Sequence, residues 1–300
     1  MDDAQGSDNR PGRFRAAIGR TELFRLSCVD VGMSTINPPR AAAGPLTPPQ
    51  SARRLAIFVA MLFAVIIGQL QQLMDLGQTP SEFSADSDAT MRVAGWAFAI
   101  WGPIYLGLIV YGVRQMLRKT HESEMLRAFG WPSFLALSFI GAWILAAAWD
   151  WEVATIVLIV GALVVLLIPL LSMAGDIRAL PRGDRDRWMT VWPLAALAGW
   201  LTIAAPVNLL TVATGNGDLP AVLAPTAWAL IAITVVTLIG LFVTWRTRVP
   251  VYPLPIAWGL MGVFAAEQEK GNGVLAFGAL GASLILLAGA LIMTLGLRRG

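Results

Sequence analysis

All but two of the basic residues in this 300-residue chain are confined to alternate gaps between eight apolar runs, and no other feature constrains the fold as strongly. Of the 22 Lys and Arg residues, 20 lie in the N-terminal tail, around 114–127, in 178–187, at Arg246 and Arg248, and at Arg298 and Arg299. Only Arg92 and Lys270 stand in the other gaps. The runs fall at 55–74, 94–113, 130–149, 153–173, 189–210, 223–244, 251–266 and 273–296. Most approach the ~20 apolar residues that cross ~30 Å of hydrocarbon. Retention of positive charge on one side of a membrane produces this alternation. The sequence therefore predicts an all-α, polytopic helical bundle of about eight transmembrane helices, with the lipid bilayer as its first partner. Eight crossings place both termini on the basic, cytoplasmic side, and the expected location is the inner (cytoplasmic) membrane of a bacterial cell.

Composition agrees, since 14% charged and 56% hydrophobic residues stand far from the ~25% charged of soluble domains. The pI of 9.5 is explained by topology, so no nucleic-acid partner is expected. Residues 1–54, with prolines at 11, 38, 39, 45, 48 and 49 and scattered arginines, read as a disordered cytoplasmic tail. The tail lacks the apolar core and cleavage site of a signal peptide, so the first run is expected to remain as an anchor. Met33 begins a plausible shorter chain, and the lone Cys28 has neither a disulfide partner nor a metal-binding neighbour.

Two stretches need special treatment. Residues 130–173 are about 44 residues of nearly unbroken apolar sequence, too long for one crossing at ~1.5 Å per residue, so they must fold back. The turn belongs at WDWE, 149–152, where Trp149 and Trp151 favour the interface and Asp150 and Glu152 need water. The seventh run is short and starts with Pro253 and Pro255, which suits a partial or tilted crossing. TGNGD at 214–218 and KGNG at 270–273 carry Asn-Gly turn chemistry rather than a phosphate loop.

No Asp, Glu, Lys, Arg or His falls in the middle third of any run. Proton relays, voltage sensors and many ion-coupled transporters place ionisable groups there, so ion-coupled transport is disfavoured. The two lysines, Lys119 and Lys270, lie in loops, which excludes a Schiff base within a helix. The single histidine, His121, lies in a charged loop and reads as solvated. No HExxH, Walker A or Gly-x-Ser-x-Gly motif occurs, and no acid, base or metal set nominates an enzyme.

The membrane interior is instead aromatic. Trp131, Trp149, Trp151, Trp188, Trp192 and Trp245 stand at interface depth. Trp96, Trp101, Trp143, Trp200, Trp228 and Trp258 lie inside their runs, where an indole N–H needs a partner and faces helices or a pocket rather than lipid. In the second run Trp101 and Tyr105 share a helix face, and Pro103 between them should kink the helix. In the fifth, Trp200, Ala204 and Asn208 follow at i, i+4 and i+8 beside Pro206. Two such helices would enclose a cavity, although the same residues would also serve packing alone.

Trp-x-x-Ile-Tyr at 101–105 resembles the Trp-x-x-Leu-Tyr of the second helix of the tryptophan-rich sensory proteins, also called translocator proteins. Trp-x3-Ala-x3-Asn at 200–208 is similar to the Trp, Ala and Asn of that family's fifth helix, and the helix order agrees over 55–212. The chain departs from the pattern at three places. It lacks the Trp-x-Pro-Pro segment before the second helix, carries Ile140 where the family has Asn three before the third-helix Trp, and has Pro193 seven residues before Trp200 without the Pro-Tyr pair. The resemblance implies a five-helix core at 55–212, with three further transmembrane helices at 213–300. It also implies a Trp-lined pocket that binds a tetrapyrrole such as protoporphyrin, or another apolar ring, near the long first loop.

The site residues carried over are Trp101, Tyr105, Trp200, Ala204 and Asn208, and position adds Trp96 and Trp143. Arg92 is the candidate contact for a ligand carboxylate. The leading expectation is a sensory or regulatory ligand-binding membrane protein without a covalently bound cofactor. A passive permease for small uncharged solutes and a membrane scaffold are the alternatives. Gly278, Gly281 and Ala282 within 273–296 offer a small-residue face for a second copy or a membrane partner.

Overall fold

In the computed structural model, residues 48–85, 87–117 and 123–295 are described. Cys28, Met33 and His121, and most of the expected tail, lie outside them. Among the described residues every regular element is a helix, and none is a strand. In chain order the helices are α1 (Pro48–Met74), α2 (Pro80–Ala85), α3 (Trp101–Met116), α4 (Glu124–Ala148), α5 (Glu152–Ser172), α6 (Ala174–Ala179), α7 (Trp192–Gly215), α8 (Pro225–Thr247), α9 (Pro253–Glu269) and α10 (Gly273–Leu295). A 3₁₀ segment, Gly95–Ile100, leads into α3, and a π-helical turn, Arg187–Val191, leads into α7.

Seven of these helices, some extended by their lead-in turns, are long and apolar enough to cross a membrane. The remaining apolar run forms α9, whose 17 residues reach only about 25 Å at ~1.5 Å each. α9 is packed among α7, α8 and α10, with Ile256, Leu260 and Val263 fully buried. The first helix starts earlier than its apolar run, so residues 48–54 extend a span instead of belonging to the tail. Prolines 48 and 49 fit there because the first helical turn has no use for their missing N–H groups. The kink expected at Pro103 is replaced by a change of helix type. The run winds as a 3₁₀ segment to Ile100, and Pro103 occupies the third position of α3, in the first turn.

The hairpin at WDWE is present. Asp150 takes a left-handed φ of 55°, and Trp149 and Trp151 are exposed beside it. After α7, Gly217 supplies the left-handed position of the expected Asn-Gly turn, with φ +72°. Trp131, Trp188 and Trp245 are also exposed, as a membrane-interface belt requires. The centre of the bundle is α7, flanked by α3, α5, α8 and α9 and buried around almost its whole circumference. A helix apolar on all sides takes that position, since no face prefers water.

Several hydroxyls within the bundle are satisfied by their own helix or its neighbour. Thr202, Thr237, Thr244 and Thr247 each donate to the carbonyl four residues back, which removes the cost of a bare hydroxyl in hydrocarbon. Tyr252 and Thr202 share a 2.7 Å hydrogen bond, as do Tyr111 and Ser133 at 2.6 Å. Gly278 of the small-residue face packs against Leu230 of α8 within the same chain, whereas Gly281 faces open space.

Candidate functional site

α3, α4, α5 and α7 converge under the loop between α1 and α3 around a cavity of about 30 Å³. Trp101, Trp143, Trp200, Ala204 and Asn208, each singled out in the sequence, all line it. Trp101 and Trp200 meet edge to face with ring centroids 6.2 Å apart, and Phe98 adds a second edge-to-face contact to Trp200 at 6.0 Å. Tyr105 stacks on Trp101 at 5.1 Å, one helical turn on, and faces a neighbouring cavity of about 330 Å³. The two cavities share Pro80, Phe98 and Trp101, so Trp101 stands in the wall between them. The larger one carries Gln69, Gln72, Thr79 and Ser81 and is the more polar.

Asn208 holds the polar end of the smaller cavity. Its side-chain oxygen accepts from Trp143 Nε1 at 3.1 Å, and its Nδ2 donates to Thr155 Oγ1 at 2.9 Å. Thr155 in turn donates to the carbonyl of Glu152 at 2.6 Å. This chain of bonds ties α4, α5 and α7 together at a point where every member is buried in an apolar setting. Such a network fixes rotamers, because an orphaned member would be costly. Asn208 therefore orients the Trp143 ring as well as lining the cavity.

The roof is α2. Thr79 and Glu82 form a reciprocal cap, with the Thr79 N–H donating to Glu82 Oε2 at 2.7 Å and the Glu82 N–H donating to Thr79 Oγ1 at 3.3 Å. The Thr79 N–H, and then its hydroxyl, hold the Glu82 carboxyl below the usual carboxylate range. On its other side α2 presents Phe83 edge-on to Trp143 at 6.3 Å and closes the cavity.

Two expected site residues stand elsewhere. Trp96 is half exposed and packs edge-on against Trp258 of α9, 5.1 Å away. Arg92 is half-buried in the loop and lines neither cavity. Its charge acts instead on Asp88, a few residues back.

The residues that hold the loop come from α9 and were not foreseen. Fully buried Glu267 accepts the Met91 N–H at 3.0 Å with one oxygen and Asn272 Nδ2 at 3.0 Å with the other. Lys270 donates to the Ala89 carbonyl at 2.8 Å and pairs with Asp88 at 2.8 Å. That lysine, above all through its hydrogen bond, lowers the Asp88 pKa. The Ala94 N–H donates to the Gly262 carbonyl at 3.1 Å, and Trp258 Nε1 donates to the Ala97 carbonyl at 2.8 Å. A Cβ at Gly262 would stand 2.7 Å from Ala97 Cβ and Val93 Cγ1, so only glycine permits this approach. Met91, buried with φ 72°, sits in a left-handed conformation that a non-glycine residue keeps only when its surroundings dictate it. The sequence signals were Trp258, an interior indole in need of a partner, and Lys270, a basic residue in a gap otherwise free of them.

No curated protein and no solved structure matches this chain. A family does: residues 54–292 match the family described as TSPO-like protein, a span that runs from α1 through the three C-terminal helices. The cavity of Trp101, Trp200, Ala204 and Asn208 forms from the same motifs that resemble the translocator proteins, and the chain belongs to this TSPO-like family of integral membrane proteins.

Proposed function

We propose that the chain is a sensory or regulatory membrane protein that binds a flat apolar ligand, a tetrapyrrole or a comparable ring system, between Trp101, Trp143 and Trp200. The observation that carries this reading is the convergence of three indoles from three helices on one cavity beneath a capped loop. Aromatic walls suit a macrocycle, each ring contact adding roughly 0.5–1.5 kcal/mol beyond area burial. Ligands of this kind need pockets of roughly 300–1,000 Å³, and the inner cavity of about 30 Å³ is closed to them. Displacing α2 and turning Trp101 would join it to the neighbouring cavity of about 330 Å³ and reach the lower end of that range. Binding is thus coupled to opening of the α2 roof.

A ligand carboxylate would fall to Arg92, the basic residue of the loop above the roof. In this reading both termini, with the basic gaps, belong to the cytoplasmic side of a bacterial inner membrane, and the open Gly281 side of α10 would receive a second copy.

Titration of the purified protein with protoporphyrin, followed by Trp fluorescence and the Soret band, tests the reading. Saturable quenching is expected, weakened by Trp101→Phe and Trp200→Phe. Arg92→Gln should weaken the free dicarboxylic porphyrin and spare its dimethyl ester. Absence of saturable binding to the native protein overturns the proposal. Cys28, the sole cysteine, tests the orientation: a membrane-impermeant maleimide applied outside intact cells should leave it unlabelled.

A further inference from the structure

A second cleft opens between α6, the turn before α7 and the ends of α8 and α10. It measures about 560 Å³, and four of its lining residues are arginines: Arg178, Arg182, Arg187 and Arg248. They arrive from two separate parts of the chain, 178–187 and the end of α8, and among the described residues no carboxylate lines the cleft with them. The acids nearest in sequence are engaged or turned to solvent. Asp186 pairs with Arg114 at 2.5 Å and accepts from Ser123, Asp184 accepts the Asp186 N–H at 2.6 Å, and Asp176 is exposed on α6.

The geometry is built rather than incidental. Arg187 Nη2 donates to the Leu180 carbonyl at 2.5 Å and its Nε to the Pro181 carbonyl at 3.3 Å, which fixes the guanidinium in place. Arg248, in a left-handed conformation at the end of α8, donates through Nη1 to the Met293 carbonyl at 2.9 Å. Trp188 Nε1 donates to the Arg182 carbonyl at 2.6 Å, and its ring lies 3.9 Å from that of Trp192. Two further donors, Arg248 Nε and Trp192 Nε1, are shielded from solvent and find no acceptor among the described residues. A site with fixed guanidiniums, spare buried donors and no carboxylate of its own is short of an anion. The paired indoles mark the depth at which lipid headgroups lie.

We propose that this cleft binds a phosphate anion, namely the phosphodiester headgroup of an anionic membrane lipid, with the indoles of Trp188 and Trp192 against the glycerol and upper acyl region. The cleft lies on the side that carries the basic gaps, where anionic lipids attract Lys and Arg most strongly. This site is distinct from the tryptophan-walled cavity and stands whether or not that cavity binds a ring ligand.

The test uses the full chain in detergent and in nanodiscs, with Arg178→Gln/Arg182→Gln as the variant, because both residues are exposed. Arg127→Gln, at an exposed basic position outside the cleft, serves as the control. Phosphatidylglycerol should raise the unfolding temperature and be retained in native mass spectrometry over phosphatidylcholine. The double variant should weaken retention by about fivefold per guanidinium removed, and the control should not. A thermal shift with millimolar inorganic phosphate, lost in the double variant and without lipid preference, assigns the same site to soluble phosphate and overturns the lipid source. Equal retention of both lipids with no response to phosphate, or a response that the double variant keeps, overturns the site altogether.

Discussion

Asn208 shows how one amide can organise a membrane core. It joins an indole on α4 to a hydroxyl on α5, and both partners are buried. Interhelical hydrogen bonds of this kind contribute about 0.6 kcal/mol each on average, with the strongest near 2. Removing this amide breaks two of them and leaves the Trp143 N–H bare. Asn208→Leu is therefore expected to lower stability by about 1–2 kcal/mol, read as an earlier midpoint in thermal unfolding of the detergent-solubilised protein. It should also free the Trp143 ring, giving a red-shifted and broader Trp emission. The pair Trp200 and Asn208 was legible as one helical stripe because steps of four residues, through Ala204, keep to one broad face of a helix. The partner of Asn208 was not legible, since Thr155, the one threonine of α5, reads equally well as a hydroxyl bonded back to its own helix.

At the scale of elements, the α2 roof and the loop behind it are held by groups that answer to substitution and to acid. Glu267 receives the Met91 N–H in a buried setting, so Glu267→Ala leaves a strained residue without its anchor. Hydrogen exchange at the Met91 amide should accelerate by an order of magnitude or more, since one net hydrogen bond to a charged group is worth about 1.5–3 kcal/mol. Glu267→Gln, which keeps the acceptor oxygen, should restore most of the protection.

The carboxyls of Glu82 and Asp88 both lie below their ordinary pKa, the first because of Thr79 and the second because of Lys270. A depressed folded-state pKa stabilises the loop above the ordinary carboxylate value of about 4 and ceases to do so as pH falls through the lowered values. Proteolysis within 76–94 by an acid-active protease should thus increase below about pH 4 and stay flat from pH 5 to 8. Lys270→Met should raise the Asp88 midpoint and leave that of Glu82 in place.

For the molecule as a whole, the C-terminal helices are not an appendage. α9 packs on α7 and supplies the contacts that anchor the loop between α1 and α3, and α10 and α8 pack beside it. Deleting residues 216–300 would expose one side of α7, otherwise buried around its circumference, and release the loop. We expect that truncated chain to elute as aggregate in size-exclusion chromatography and to lose any porphyrin response, although it retains the five helices of the expected core. Recovery of a monodisperse, loop-protected truncation would refute this coupling.

The alternation of apolar runs and basic gaps determined a great deal unaided. Helical class, run boundaries, the WDWE hairpin and the interface tryptophans all follow from hydrocarbon thickness and the cost of bare peptide groups in lipid. These constraints act on each segment separately, so a linear reading captures them. Local spacing also sufficed for the Trp and Asn stripe of α7. Tertiary structure alone decided that α9 becomes a buried clamp, that Trp96 turns to Trp258 and leaves the cavity, and that Arg248 joins the arginines of 178–187 in one cleft. Each of these outcomes depends on which helices become neighbours, a choice made by packing between segments far apart in the chain. Lys270 joins the two levels: its place in the wrong gap was visible in the sequence, and its purpose emerged only when α9 brought it to Asp88 and Ala89.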